Sequence, residues 1–145
     1  METVNILECS SKGDKRFSAF YANVSVFGKY TSIERHYQGS KKFYDKSITK
    51  AKGLDPDYLE INGIILDKKY LTPWYKLLWV KYLDQNADLV EYASGFDDFH
   101  DMFEGKRTVN CQANVIRQYI KEGRYSIMNE ELIKEFLLIL KNKGK

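Results

Sequence analysis

Three polar side chains follow one another at helical spacing in the first third of the chain. Glu34 is followed by Gln38 four residues later and by Lys41 three residues after that. In a helix, these three positions fall within an arc of about 60°. A carboxyl group can protonate a leaving group or activate water, and an amine can hold a carboxylate or a phosphate. The spacing therefore predicts a catalytic and binding site at the border of a buried helix face.

The same residues also have a purely structural interpretation. Thr31 and Glu34 match a capping box, in which a hydroxyl and a carboxylate bond the backbone donors left free at a helix start. In that case Glu34 serves the helix, while Gln38 and Lys41 lie on its solvated flank. Both interpretations of Glu34 stay open, and one residue can do both jobs.

The elements that must position these residues follow from apolar periodicity and turn residues. Residues 5–7 and 21–27 are predicted to be short strands, with a turn at residues 28–29. Apolar positions then recur every three or four residues, which predicts a helix over residues 32–52 that is closed by Gly53.

The rest of the chain is predicted to contain a hairpin and several helices. Asn62-Gly63 between two apolar runs predicts a hairpin over residues 58–66. The helices that follow are each predicted to begin at a polar cap, namely Thr72, Asn86, Asn110 and Asn129. The last of them, over about residues 129–141, is a core-packing element. We expect an α+β fold: a mostly helical single domain over residues 1–145, with a small antiparallel sheet or hairpin.

The composition narrows the functional classes. The chain has 145 residues, 43% of them hydrophobic, and its 23 basic and 20 acidic residues are mixed along the sequence. No apolar run approaches the roughly 20 residues of a membrane span, and no basic block indicates stable nonspecific binding of nucleic acid. We expect a cytoplasmic protein that makes no contact with a membrane.

Several cofactor and enzyme classes are also excluded. The chain has two distant cysteines and two histidines without ligand spacing, so we expect no metal site. There is no glycine-rich phosphate loop and no serine nucleophile elbow, which excludes kinases, dehydrogenases and serine hydrolases of the usual kinds. We expect no cofactor.

The segment around the three polar residues resembles a known family signature. Phe17-Ser18-Ala19-Phe20, the turn at residues 28–29 and the spacing of Glu34, Gln38 and Lys41 resemble the NADAR family (NAD and ADP-ribose related, YbiA-like). Candidate counterparts of later family motifs occur in the same order and extend the resemblance over about residues 17–120: Trp74, residues 83–89, Asp98 or Asp101 before Gly105, and residues 110–116.

The resemblance implies cleavage of an N-glycosidic bond. The substrate would be a small-molecule nucleotide, an ADP-ribosylated guanine base in nucleic acid, or a riboflavin-pathway intermediate. Such a bond breaks through an oxocarbenium-like state that needs two carboxyl groups, a role that Glu34 and Asp101 can divide. Asp98 competes with Asp101 for the second position.

The other implied site residues bind or position the substrate. Lys41 would hold the Glu34 carboxylate and pair with a phosphate or an opened sugar, while Gln38 and Asn110 would position hydroxyl groups. Three aromatic side chains are candidates for stacking on a flat base or flavin-like ring, although such residues more often belong to a core: Phe20, Tyr37 and Trp74.

Departures from the family pattern suggest a second hypothesis. Ala19 stands where the family has Asn, Arg35 where it has His, and Phe103 where it has Trp. These changes favour a non-catalytic module that keeps the fold and binds a nucleotide or a protein partner. Small phage proteins that inhibit host defences are an analogy for such a module. If the chain is phage-encoded, it would work in the host cytoplasm. Binding of single-stranded nucleic acid is a third and weaker hypothesis, because no continuous basic track is present.

Overall fold

Helices and short strands are interspersed along the chain in an α+β arrangement that is about 48% helical. A computed structural model describes residues 3–103 and 111–143. The strands in these ranges are β1 (Ile6–Glu8), β2 (Asn23–Val26), β3 (Lys29–Ser32), β4 (Lys41–Lys42), β5 (Tyr58–Ile61), β6 (Ile64–Leu66) and β7 (Asp98–His100). The α-helices are α1 (Ile33–Ser40), α2 (Leu71–Asp84), α3 (Ala87–Ala93), α4 (Gln112–Arg117), α5 (Arg124–Met128) and α6 (Glu131–Lys143).

Three shorter helical segments complete the described structure. Two are 3₁₀ helices, at Lys15–Phe17 and Lys68–Tyr70, and the third is a π-helical segment at Gln118–Glu122 that continues α4. None of the described helices is long and apolar enough to span a bilayer.

Helix α2 is the centre of the core. Its sequence is apolar on nearly every side, and Trp74, Leu78, Trp79 and Leu83 are all buried. A helix that is apolar all round must be covered by other elements. Here α1, α3, α4 and α6 pack against it, so α2 fixes the relative positions of α1 and α4.

The strands form three small sheets. β1 and β7 pair in parallel, with Leu7 opposite Phe99. β2 and β3 form an antiparallel hairpin, and β4, β5 and β6 form an antiparallel sheet in that order. The parallel pair differs from expectation, because the sequence predicts only antiparallel pairing and no strand over residues 98–100.

The predicted first helix is the largest error. The sequence predicts it over residues 32–52, but α1 ends at Ser40. The Ser40 hydroxyl donates back to the Tyr37 carbonyl at 2.7 Å, and Lys41 takes up an extended backbone as it enters β4. Pairing of β4 with β5 replaces the helical hydrogen bonds that would have continued past this point. Residues 43–48 of the predicted apolar stripe therefore lie outside the helix.

Two predicted helix caps are also wrong, and a third is only partly right. Thr72 lies inside α2, because the 3₁₀ helix at residues 68–70 precedes it and α2 begins at Leu71. Asn129 ends α5, a short helix that the sequence does not predict, rather than beginning α6. Asn86 does precede α3, but its side-chain amide donates to the Tyr82 carbonyl instead of capping.

The hairpin at residues 58–66 is confirmed. Asn62 and Gly63 have φ angles of 52° and 78°, which is the backbone of a two-residue turn that needs positive φ at both positions. The turn between β2 and β3 has the same geometry, with φ angles of 51° at Phe27 and 78° at Gly28.

Gly63→Ala is expected to destabilise the protein by about 1 kcal/mol, because an L side chain at positive φ is strained even where space is available. A Cβ at Gly63 would meet nothing within 4 Å, so the cost is purely conformational. Gly39→Ala in α1 is the matched control: its Cβ also meets nothing within 4 Å, and φ there is not positive. Chemical denaturation should show Gly39→Ala neutral or stabilised by up to about 1 kcal/mol. An equal decrease in the free energy of unfolding in the two variants would contradict the prediction.

Candidate functional site

Glu34 does not serve as a capping-box residue. Ser32, not Thr31, is the N-cap of α1, and its hydroxyl accepts the Arg35 backbone N–H at 3.1 Å. Within the described residues, the half-buried Glu34 carboxylate accepts the side-chain amide of Gln38 at 2.9 Å. Glu34 lies in the first turn of α1, where a negative charge interacts favourably with the helix dipole. Its carboxylate is therefore not engaged in capping.

The side-chain amide of Gln38 has a hydrogen-bonded nitrogen and an oxygen without a partner among the described residues. Its Nε2 donates to Glu34, whereas its Oε1 is buried and has no hydrogen-bond partner among the described residues. A buried acceptor without a partner costs about 1–3 kcal/mol, and native structures rarely tolerate one without a reason. The Gln38 oxygen is therefore a covered acceptor that no donor among the described residues satisfies.

Lys41 is buried at the point where α1 becomes β4. Its Nζ donates to the carbonyls of Ala51 at 3.4 Å and Leu54 at 3.1 Å, and it lies 5.1 Å from the centre of the Tyr37 ring. It makes no ion pair with Glu34, in contrast to the predicted role of holding that carboxylate. Burial lowers the pKa of Lys41, although the nearby negative charge of Glu34 opposes the shift.

A chain of hydrogen bonds joins Glu34 to Asp101. The Glu34 backbone N–H donates to the Ala19 carbonyl at 3.0 Å, and the Ala19 N–H donates to Gln112 Oε1 at 2.7 Å. Gln112 Nε2 in turn donates to Asp101 Oδ2 at 3.0 Å. We call these four residues the Ala19 bridge. Ala19 takes part only through its backbone, so the departure from the family at this position leaves the bridge possible.

Gln112 is a site residue that the sequence does not predict. It is buried in the first turn of α4, where its side chain accepts a hydrogen bond from the Ala19 backbone N–H and donates one to the Asp101 carboxylate. Its partners lie 93 and 11 residues away in the chain, so no local pattern marks it. A glutamine within a predicted helix start ordinarily indicates a solvated end.

The two candidate aspartates have different environments. Asp101 is buried, and its carboxylate accepts from Gln112 and from the Phe103 backbone N–H at 2.9 Å. Asp98 is exposed, and a hydrogen bond from Arg117 Nε at 2.8 Å lowers its pKa. Asp98 therefore belongs to a surface ion pair, while Asp101 lies in the Ala19 bridge.

The three predicted aromatic residues do not come together. Tyr37 is buried edge-to-face against Tyr75, with ring centroids 5.0 Å apart, beside the Lys41 amine. Phe20 is 50% exposed, and Lys52 Nζ lies 4.5 Å from its ring centre. Trp74 is buried, and its Nε1 donates to the His36 carbonyl at 3.4 Å, so it lies against a different side of α1.

The remaining expectations fall on other parts of the chain. Asn110 lies outside the described residues, as does Gly105. Arg35 is exposed and Phe103 is partly exposed, so neither departure from the family pattern replaces a side chain of the bridge.

Other ionisable groups near the bridge are held neutral. Burial raises the pKa of the Cys9 thiol and of the Tyr75 hydroxyl well above their usual values, and the negative charge of Asp101 adds to the shift at Cys9. A thiol with a raised pKa is a poor nucleophile. In residues 3–103 and 111–143, no group of three or more histidines, cysteines and carboxylates is arranged to hold a metal ion.

Comparison with known proteins adds no further assignment. The sequence matches no protein-family model, and no curated protein matches it. The residues and contacts of the Ala19 bridge and its surroundings are therefore the basis for any function proposed for this chain.

Gln112→Leu is expected to lower the free energy of unfolding by about 2 kcal/mol or more, because it leaves the Ala19 N–H and one Asp101 oxygen buried without a partner. Gln85→Leu is the matched control, since Gln85 is exposed at the end of α2 and its loss should cost less than about 0.5 kcal/mol. Urea denaturation measures both. A loss at Gln112 no larger than that of the control would show that the bridge does not contribute to stability.

The burial of Lys41 should appear as a pH dependence of stability. Because its pKa is lower in the folded protein than the 10.5 of an ordinary lysine, the unfolded chain binds more protons in the interval between the two values. The free energy of unfolding of the wild type, measured relative to Lys41→Met, should therefore rise as the pH approaches 10.5.

Lys46→Met, at an exposed lysine in the following loop, corrects this comparison for the loss of one positive charge. Urea titrations at neutral pH and at two higher pH values give the change in the free energy of unfolding with pH for each protein. A Lys41→Met difference that is constant or falls with pH would contradict the inferred direction.

Proposed function

We propose that this protein hydrolyses an N-glycosidic bond in an ADP-ribosylated nucleobase or in a related nucleotide or riboflavin-pathway conjugate, as its resemblance to the NADAR family implies. The observation that carries the proposal is the Ala19 bridge. It links the backbone N–H of Glu34 to the carboxylate of Asp101 through Ala19 and Gln112, and so connects the two residues whose carboxylates the resemblance implies. Metal ions have no part in the proposed reaction.

The two carboxylates are suited to different roles. Among the described residues, Asp101 accepts two hydrogen bonds, which hold its carboxylate in one orientation. A fixed anion would stabilise the positive charge that develops on the sugar as the bond breaks. Glu34 accepts one hydrogen bond among the described residues and is half-buried, so it is the group proposed to activate water or to protonate the leaving base.

Three further residues would bind the substrate. Oε1 of Gln38, which has no hydrogen-bond partner among the described residues, would accept from a sugar hydroxyl, and the half-exposed ring of Phe20 would stack on the base. The Lys41 amine would bind a phosphate or an opened sugar. Asn110 would position a hydroxyl group, as the resemblance implies.

The alternative is a non-catalytic module that binds a nucleotide or a protein partner. The contacts of Lys41 favour it, because the amine is already held by the carbonyls of Ala51 and Leu54, as in a lysine that serves the fold. In this case Glu34 and Asp101 would orient α1 and α4 and would take no part in chemistry. In either case we propose that the protein acts in the cytoplasm, that of the host if the chain is phage-encoded.

Glu34→Gln should abolish hydrolysis and leave the fold intact, with a stability cost of up to about 1 kcal/mol from the lost charge near the start of α1. Glu91→Gln, at an exposed position in α3, is the matched control and should keep wild-type turnover. The substrates are DNA carrying ADP-ribosylated guanine, NAD, ADP-ribose and riboflavin-pathway intermediates, with chromatographic analysis of the products.

Release of ADP-ribose or a sugar phosphate by the wild type and the Glu91 variant, but not by the Glu34 variant, would establish the glycosidase and its substrate class. Equal turnover in all three proteins would remove Glu34 from the mechanism. Binding of ADP-ribose without any product would favour the non-catalytic alternative.

A further inference from the structure

A cavity of about 270 Å³ lies beside α1, on the side away from Glu34 and Gln38. Both hairpin turns reach it, with Phe27 from the β2–β3 turn and Asn62 from the β5–β6 turn. Trp74 of α2 also lines it. Its volume is near the lower end of the range for small-molecule sites, roughly 300 Å³ and above. The cavity is separate from the Ala19 bridge, so ligand binding there does not depend on the proposed glycosidase.

The residue at the first position of the β2–β3 turn is unusual. The two turns have nearly the same backbone, with φ angles of 51° and 78° at Phe27 and Gly28, and 52° and 78° at Asn62 and Gly63. Asn-Gly is the pair this geometry favours, whereas a bulky aromatic residue at positive φ is disfavoured. Phe27 occupies the position nonetheless and is 52% exposed. Neither turn chemistry nor core packing accounts for an aromatic ring there.

The Phe27 ring faces Trp74 in nearly parallel orientation. The ring centroids are 6.4 Å apart and the planes differ by 17°. This separation lies toward the upper end of the roughly 4.5–7 Å found for aromatic pairs, and Phe27 lies at the tip of a hairpin, where its half-exposed ring can move aside. Trp74 is fixed by its buried position and by its hydrogen bond to the His36 carbonyl. A planar ring can therefore stack on these aromatics after a small displacement of the Phe27 side chain.

The cavity also carries unpaired charges. Lys29 and Arg35 line it, and neither forms an ion pair with any residue in the described ranges. Glu60 lies on the same wall and is likewise without an ion-pair partner there. Two cations suit a phosphate, and a carboxylate suits a ring edge with N–H donors.

We propose that this cavity binds a nucleoside 5′-monophosphate unit. The base stacks on Phe27 and Trp74, and the phosphate is bound by Arg35 and Lys29. Glu60 accepts from the N–H groups of the base, which makes guanine the best matched of the common bases. The unit is either a free nucleotide or the 5′-phosphorylated end of a single strand.

Calorimetric titration with guanosine 5′-monophosphate tests the site, with guanosine and ribose 5-phosphate as the ring-only and phosphate-only probes. We expect the monophosphate to bind at least about tenfold more tightly than either fragment, and the binding to weaken as salt is added. Stacking should also quench the fluorescence of Trp74. Equal affinity for ribose 5-phosphate would overturn the role of the aromatic rings.

Phe27→Asn is the decisive variant, because it removes the ring and supplies the residue that the turn favours, so the protein should fold as stably as the wild type in thermal unfolding. It should weaken binding about tenfold or more. Arg35→Gln should weaken binding and reduce its salt dependence. Lys134→Gln, at an exposed lysine of α6, is the matched control and should bind as the wild type does.

Titration with a short single strand that carries a 5′-phosphate shows whether the site binds free nucleotides or strand ends. Tighter binding of the strand than of the free monophosphate assigns the site to strand ends, and equal or weaker binding assigns it to free nucleotides. Absence of binding at millimolar monophosphate, or binding that Phe27→Asn and Arg35→Gln leave unchanged, overturns the proposal. Neither result would bear on Glu34, whose variant is tested by product release.

Discussion

The backbone of Ala19 makes the two contacts on which the candidate site depends. Its carbonyl accepts from the first turn of α1, and its N–H donates to the side chain of Gln112 in α4. Both helices pack on α2, and these directional hydrogen bonds add a second constraint on their registration. Because Ala19 is buried, water cannot substitute for these bonds, so the backbone of one buried residue helps to set the relative position of Glu34 and Asp101.

The sequence predicts the features that depend on local chemistry. The Asn62-Gly63 hairpin is predicted correctly because the turn geometry is encoded in two adjacent residues. The end of α1 is not, because its competitor is the pairing of β4 with a strand that lies some sixteen residues further along the chain. The helical pattern from residue 33 to residue 48 is genuine in the sequence, but tertiary pairing overrides it after Ser40.

The candidate site likewise contains contacts that the sequence predicts correctly and contacts that it does not. Glu34 and Gln38 are predicted as neighbours from spacing alone, and they are hydrogen bonded. Lys41 is predicted on the same helix and instead lies beyond it, with its amine directed to the loop carbonyls of Ala51 and Leu54. The choice between Asp98 and Asp101 depends on which face of β7 meets the core, and that face is set by pairing with β1, which no local signal in residues 96–103 reveals.

The parallel pairing of β1 with β7 has a consequence for how the protein is made. Leu7 meets Phe99 across 92 residues, and Ala19 meets Gln112 across 93. Contacts between residues so far apart in the chain are slow to form, because closing the long loop between them costs chain entropy before any contact energy is gained. During synthesis, β1 has no partner until residues 98–100 have left the ribosome. A chain truncated before residue 112 would keep the hairpins and α2 in its sequence but would lack Gln112 and therefore the bridge.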